Sequence, residues 1–402
     1  MNSAFAFSDP DSALRTLGER LAGVTETESV ANSIGRILAQ PIVADRDSPA
    51  ADVSAMDGYA IRLSDLQTAA DVPISGESCA GSPPPEMVPG NVVRIFTGAI
   101  LPAGCEAIVK REDTEEMDTS IRFLDSAIES TVAGSHIRRR GENAVTDDQV
   151  LQSALSITPA VAAGLANFGC VSPTVFRRVK VALLTSGNEV VDPAVRELHP
   201  WQLRNSNRAA IQAMLEQNPA VELAVVRHAA DDRLALLETL SECLNDADAV
   251  VMTGGVSKGD YDYVPDTIAQ AGGQIVFHGL PIRPGKPILG AATDAGKLLL
   301  GLPGNPVSAT INAHRFLLPL LNKIAGKRDW LPLPSMVRVD QPPSKPIPLH
   351  SMPLVRMTDP GNAQWVSHQG SGDLVALANS DGYVCLPPMT ATAGDWPFYR
   401  WA

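Results

Sequence analysis

Residues 248–262 read Asp-Ala-Val-Val-Met-Thr-Gly-Gly-Val-Ser-Lys-Gly-Asp-Tyr-Asp. The apolar run through Met252 has the length and composition of a buried strand, and the Gly254-Gly255 pair ends it. Two glycines at a strand end let backbone N–H groups approach a ligand closely. A serine, a lysine and two carboxylates follow within a few residues, a set able to hold a phosphorylated ligand together with a divalent cation. A Gly-Gly turn alone only connects elements, so its meaning depends on the segments around it.

From 178 to about 325, strand-like and helix-like patterns alternate. Strands are expected at 179–184, 221–226, 249–252, 274–277 and 297–300. Helices are expected at 208–217, 231–244 and 265–271, with a long one from Asn305 to about Ile324. This alternation predicts a doubly wound α/β domain, a parallel sheet covered on both faces.

Upstream, Asp9-Pro10 opens a helix with Asp as N-cap and Pro at N1, and Leu14, Leu17 and Leu21 form its apolar stripe. A second helical stretch is expected around 33–39. Residues 50–110 change to short apolar runs punctuated by Gly and Pro, with strands at 91–96 and 107–110, and a helix is expected at 159–168. Downstream, 330–402 is rich in Pro and Gly and reads as a small β domain or barrel. The expected organisation is therefore an N-terminal helical and linking domain (1–46 and 148–176), a β-rich domain (47–147), the α/β domain (177–328) and a C-terminal, barrel-like β domain (329–402). The fold class is multidomain α/β plus β.

A chain of 402 residues exceeds a single hydrophobic core, and 45% hydrophobic content is that of an ordinary globular protein. The formal net charge of −13 argues against nucleic acid or an anionic membrane as partner, since both need a basic surface. Any anion site must therefore be built locally, against the global field. The five cysteines have no metal-ligand spacing and fit reduced thiols. With no leader-like N-terminus and no apolar stretch of membrane length, the expectation is a soluble, cytoplasmic protein.

Ligands of open α/β sheets bind at the carboxyl ends of the strands. Three such ends carry unusual residues: Thr185-Ser186-Gly187-Asn188-Glu189, Thr253-Gly254-Gly255-Val256-Ser257, and Gly301-Leu302-Pro303-Gly304-Asn305-Pro306-Val307-Ser308. In the last, Asn305 as N-cap and Pro306 at N1 would leave free N–H groups at the positive end of a helix, an anion site. A well-capped helix without a ligand explains the same residues. Arg283-Pro284-Gly285-Lys286-Pro287 places two cations on a stiff loop, ready for an oxyanion or simply solvated. Glu189, Asp231, Asp232, Asp260 and Asp262 fall on the same rim. Carboxylates beside an anion site make sense if Mg²⁺ bridges them to phosphate, although N-capping and surface charge account for Asp231 and Asp232. Arg138-Arg139-Arg140-Gly141-Glu142 fits either a phosphate site or a solvated loop. No histidine spacing supports zinc, and Ser186 lacks the G-x-S-x-G elbow of a serine hydrolase.

Six motifs occur in one order: SAMDGYA (54–60), FTGAILP (96–102), TSGNE (185–189), TGGVSKGDYD (253–262), RPGKP (283–287) and GLPGNPVS (301–308). With Gln369-Gly370-Ser371-Gly372, they make the chain resemble the molybdopterin molybdenumtransferases, the MoeA-like family that includes the E domain of gephyrin. The resemblance runs from about Leu14 to about Pro388.

It implies a homodimer that inserts molybdate into adenylylated molybdopterin with release of AMP, assisted by Mg²⁺. A molybdopterin adenylyltransferase would be the partner supplying the substrate. By the same resemblance, Glu189, Asp231 and Asp262 serve the metal and the cleavage of the phosphoric anhydride, with Glu189 and Asp262 as metal ligands. Asp57 and Thr97 reach the site from the smaller domains. Gly254, Gly255, Ser257, Pro303, Gly304 and Asn305 contact the substrate. Arg283, Lys286 and Ser308 hold molybdate, with Arg356 and Ser371 as further candidates. The chain departs from the family pattern at Pro49-Ala50-Ala51-Asp52-Val53, at Asn143, at Asp147 and at Arg283, which replaces the usual first lysine of its loop. The 138–147 loop is accordingly left out of the catalytic set. Two other readings stand beside this one: a molybdopterin adenylyltransferase, and a non-catalytic molybdopterin-binding carrier or scaffold.

Overall fold

The computed structural model describes residues 5–67, 71–257, 262–342 and 345–401. Six strands, Val179–Ser186 (β1), Val221–Ala229 (β2), Ala249–Thr253 (β3), Gly273–His278 (β4), Leu289–Thr293 (β5) and Leu298–Leu302 (β6), form one sheet in the order β2-β1-β3-β6-β5-β4. Every residue of β3 and β6 is buried, as expected of strands covered on both faces. One face, with Val181, Leu183, Val251 and Leu300, packs on Ile211 and Leu215 of the helix Ser206–Glu216 (α1) and on Phe316 and Leu320. The other, with Ala182, Leu184, Val250 and Met252, packs on Leu236 and Leu240 of Arg233–Asp246 (α2) and on Ile268 of Val264–Gln270 (α3).

Four strands, β2, β1, β3 and β6, are parallel, but β5 runs antiparallel to both β6 and β4. The expected all-parallel sheet thus carries one antiparallel strand, β5, second from its edge, in a segment where no strand was expected. Residues 294–297 are too short a connection for a parallel crossover, which needs a dozen residues or more, so the chain turns back as a hairpin. The stretch expected to be helical at 33–39 is instead extended: Ile37 bridges to Ser156 and Leu38 to Val175.

The long C-terminal helix of this domain (α4) runs as Pro306–Asn312, a π-helical turn Ala313–Leu317, and Leu318–Ile324. Pro319 has no N–H to give the helical ladder, and the wider turn just before it absorbs that break. A closed barrel follows, formed by Ser335–Val339 (β7), Leu354–Asp359 (β8), Asn362–Trp365 (β9), Gly382–Val384 (β10) and Gly394–Arg400 (β11) in the order β7-β9-β8-β10-β11. Val337, Val355, Val384 and Phe398 fill it.

The chain divides into two compact units. One holds the segment up to Gln40, Ser153–Ala162 and everything from Ser172 on; the other is Pro41–Gln152 with Ala163–Val171. The first unit includes the N-terminal helix Pro10–Glu19, capped by the Asp9 carboxylate, which accepts from the Asp11 and Ser12 N–H groups. The second is built on a six-stranded mixed sheet, in which Gly58–Ile61 pairs with Val92–Ile95 and Ala107–Lys110. Among the described residues no helix is long and apolar enough to cross a membrane.

Candidate functional site

Strand order reverses between β1 and β3, because the chain passes first to β2 on one side of β1 and then to β3 on the other. Such a reversal opens a crevice at the carboxyl ends of the two strands. Gly254 stands there with φ +92, and its N–H donates to the Leu302 carbonyl at 3.1 Å. A Cβ on Gly254 would lie 3.1 Å from Ser186 Oγ and 3.3 Å from the Ser186 carbonyl oxygen, while one on Gly304 would lie 3.7 Å from the Gly254 Cα. The ends of β1, β3 and β6 therefore converge to van der Waals contact, and only small residues permit it.

Beyond Gly255 the Ser257 side chain is exposed, and residues 258–261, with Asp260 among them, lie outside the described residues. The chain rejoins the turn just after Asp262: the backbone N of Tyr263 is 3.9 Å from where a Cβ on Gly255 would stand, and the Val264 N–H donates to the Gly255 carbonyl at 3.1 Å.

On the β1 side, the Glu189 carboxylate folds over its own turn, its oxygens 3.0 and 3.1 Å from a Cβ position on Gly187. Asp231 accepts at 3.0 Å from the Asn188 N–H, so the turn after β1 and the start of α2 are joined. Asp232 plays the capping part, accepting from the Leu234 and Ala235 N–H groups of α2.

Two asparagines that sequence reasoning missed complete this corner. Asn205 is buried; its Nδ2 donates to Thr185 Oγ1 at 3.0 Å, its Oδ1 accepts from the Arg208 N–H, and Thr185 Oγ1 is also 3.0 Å from His228 Nδ1. Asn207 Nδ2 donates to the Gly304 carbonyl at 2.8 Å, tying α1 to the third strand-end turn, while its buried Oδ1 has no protein partner among the described residues. The available signal was Asn-Ser-Asn at a helix start, which by itself reads as capping.

The cationic loop is braced rather than loose. The Met352 N–H donates to the Arg283 carbonyl at 2.7 Å, the Leu280 N–H to the Lys286 carbonyl at 2.9 Å and the Ile288 N–H to the Gly285 carbonyl at 3.1 Å. Gly285, at φ +95, touches the fully buried Asn312 of α4 so closely that a Cβ would fall 1.7 Å from its Nδ2. That Nδ2 donates to the Ser308 carbonyl at 2.7 Å. The Arg283 and Lys286 side chains are left exposed, Lys286 Nζ lying 5.3 Å from the centre of the Phe5 ring. Pro303 and Ser308 are buried.

Asn305 occupies the N-cap of α4, but its side chain makes no capping bond, and the Val307 N–H is taken at 3.1 Å by the Ser371 carbonyl. The helix start expected to offer only free donors is thus partly closed, and Ser371 contributes a backbone acceptor there. Arg356 stands exposed on β8 opposite Gln364, and no contact among the described residues ties it to the strand ends.

Asp57 and Thr97 lie in the second unit and bond each other. Asp57 Oδ1 accepts from the Thr97 N–H at 2.8 Å and from its hydroxyl at 2.7 Å. These bonds, with the charges of Arg111 and Arg94, hold the Asp57 carboxyl below its usual range. The basic run is ion-paired: Arg138 pairs with Glu142 at 2.5 Å, Arg139 with Asp52 at 2.6 Å, and Arg140 with Asp47. Each of the three arginines is thus matched to a carboxylate of its own unit, while its side chain stays largely exposed.

No three His, Cys, Asp or Glu side chains gather as a metal cage among the described residues. Mg²⁺ does not require one, since it keeps waters and takes one or two carboxylates along with ligand phosphate. Glu189, over the Gly187 turn, and Asp262 are hard oxygen donors of the type that Mg²⁺ takes.

Residues 9–169 match the family model described as the MoeA N-terminal region (domain I and II), and residues 182–323 match one described as a probable molybdopterin binding domain. A molybdopterin molybdenumtransferase from Nostoc sp. is 36% identical over 76% of this chain and 70% of its own length. One from Synechococcus elongatus is 34% identical over 88% of both chains. Among solved structures, a molybdopterin biosynthesis moeA protein from Pyrococcus horikoshii OT3 matches with a TM-score of 0.80 and 24% identity, over 97% of this chain and 99% of the other.

Proposed function

Because this chain belongs to the family of the molybdopterin molybdenumtransferases, the MoeA proteins, we propose that it inserts molybdate into adenylylated molybdopterin and releases AMP. It is an enzyme of molybdenum cofactor biosynthesis. The observation that carries the fuller reading is the convergence of three strand-end turns at Ser186, Gly254 and Gly304, with a braced pair of cations on a loop of the same unit.

In this reading the Gly254-Gly255 turn, Ser257 and the turn of Pro303, Gly304 and Asn305 receive the pterin and its phosphates. Arg283, Lys286 and Ser308 hold molybdate, with Arg356 and Ser371 as further contacts. The two thiol protons of the pterin leave with one oxygen of molybdate as water while both sulfurs bind molybdenum. A second water adds across the phosphoric anhydride, giving AMP and the pterin phosphate. Glu189 and Asp231 orient that water and the phosphate it attacks; Asp57 and Thr97 are proposed as further catalytic residues. A Mg²⁺ held by Glu189 and Asp262 would neutralise phosphate charge during the cleavage. A homodimer receiving its substrate from a molybdopterin adenylyltransferase is part of the same proposal.

A single turnover of adenylylated molybdopterin with molybdate and Mg²⁺, following AMP and bound molybdenum together, tests it. Both should appear in step, and Glu189→Ala should abolish both while leaving the fold intact. Tight binding of the substrate with neither product would overturn the catalytic reading, and full activity in Glu189→Ala would remove that residue from the mechanism.

A further inference from the structure

We propose that Trp201 is a stacking platform for a planar nitrogen heterocycle of the substrate, an inference that rests on the reading above. The loop of residues 190–204 leaves the turn after β1 and returns to it. Val190 and Val191 pair with Leu203 and Arg204, the Leu203 N–H donates to the Glu189 carbonyl at 2.8 Å, and the Asn205 N–H donates to the Val191 carbonyl at 2.9 Å. The loop is tied internally as well. The Arg204 guanidinium donates to the Val195 and Arg196 carbonyls at 2.8 and 2.9 Å, and His199 and Gln202 exchange two bonds of 2.9 and 3.1 Å.

On this ordered loop Trp201 is 68% exposed. The His199 ring stacks on it with centroids 4.5 Å apart and planes 1° from parallel. One face of the indole is therefore covered and its orientation set, so the exposed area belongs to the other face and the edges. A lone exposed apolar side chain needs no explanation. This one is pre-stacked and lies close in the chain to the turn after β1: one residue separates it from Leu203, a span of at most about 7 Å between their Cα atoms, and the Leu203 N–H is bonded to the Glu189 carbonyl. Aromatic faces held in this way bind heterocyclic bases by stacking. Adenine and pterin, the two ends of adenylylated molybdopterin, share that chemistry.

Calorimetric titration of the full chain with AMP and, separately, with pterin-6-carboxylate tests the assignment in wild type, Trp201→Ala and Trp201→Phe. Trp201→Ala should weaken one of the two ligands by about 10-fold or more, with Trp201→Phe restoring most of the loss, because a second aromatic face substitutes for the first. A loss confined to AMP assigns the platform to adenine; a loss confined to the pterin acid assigns it to pterin. In turnover the same variant should raise KM and leave kcat nearly unchanged. Unchanged affinity for both ligands in a Trp201→Ala protein that still turns over overturns the platform alone. Failure of the wild-type protein to bind either ligand overturns the platform and the reading of the site together.

Discussion

Asn188 and Asp231 hold each other reciprocally: the Asn188 N–H donates to the Asp231 carboxylate at 3.0 Å, and the Asp231 N–H donates to the Asn188 side-chain oxygen at 3.3 Å. The exchange fastens the turn that presents Glu189 to the segment that starts α2. Asn188→Ala removes one of these bonds and should cost about 1 kcal/mol of stability, read from a denaturant midpoint. Asp231→Asn keeps an acceptor for the Asn188 N–H but loses the charge. If Asp231 serves the cleavage step, kcat in Asp231→Asn falls as far as in Asp231→Ala. Near-normal kcat in the asparagine variant alone would reduce Asp231 to a brace.

The close approach of Gly285 to Asn312 predicts a second result. Gly285→Ala places a methyl group where the Asn312 amide already stands, and does so at φ +95. It should destabilise the protein by about 1–3 kcal/mol and raise KM for molybdate, since the loop carrying Arg283 and Lys286 is displaced. Asn312→Ala opens the space. The double variant should therefore be less destabilised than the sum of the single ones, a coupling measurable by urea unfolding.

A third expectation concerns acid. Asp47 accepts from the Thr146 N–H and hydroxyl and from Arg140, and these bonds lower its pKa from 3.8 to about 2. A carboxyl depressed in the folded state adds stability that is complete above its unfolded value and disappears as pH falls through the folded one. The gap in urea midpoint between wild type and Asp47→Asn should therefore hold down to about pH 4 and close by about pH 2. Because the ion pair with Arg140 is exposed, added salt should narrow the gap. A gap that widened on acidification would contradict the assignment.

Much of the site was legible because its signals are local. Glycines closing apolar runs marked the ends of β1, β3 and β6 within a residue or two. What escaped depends on distant partners. The helical expectation at 33–39 failed because Ile37 and Leu38 are held extended by Ser156 and Val175, more than a hundred residues away. The pairing of Arg139 with Asp52 and of Arg140 with Asp47 joins residues far apart in sequence, which no local pattern shows. β5 is made of Leu-Gly-Ala-Ala-Thr, small residues with little strand preference of their own, and takes its conformation from β6 beside it. Asn205 and Asn207 look like ordinary caps until Thr185 and Gly304 are seen to meet them.

The N-terminal helix has a consequence in time. Leu14 and Leu17 bury themselves in the same core as Phe316 and Leu320 of α4, and Asp11 pairs with Arg315. A ribosome adding 5–20 residues each second completes the binding surface for that helix roughly 15–60 s after making the helix itself. Meanwhile the second unit, finished by Val171, has its whole sequence available long before the unit into which it is inserted. A segment synthesised early is thus among the last to be seated. For most of its translation the chain exposes an amphipathic helix with no partner of its own, a surface for which holding factors at the exit tunnel would compete.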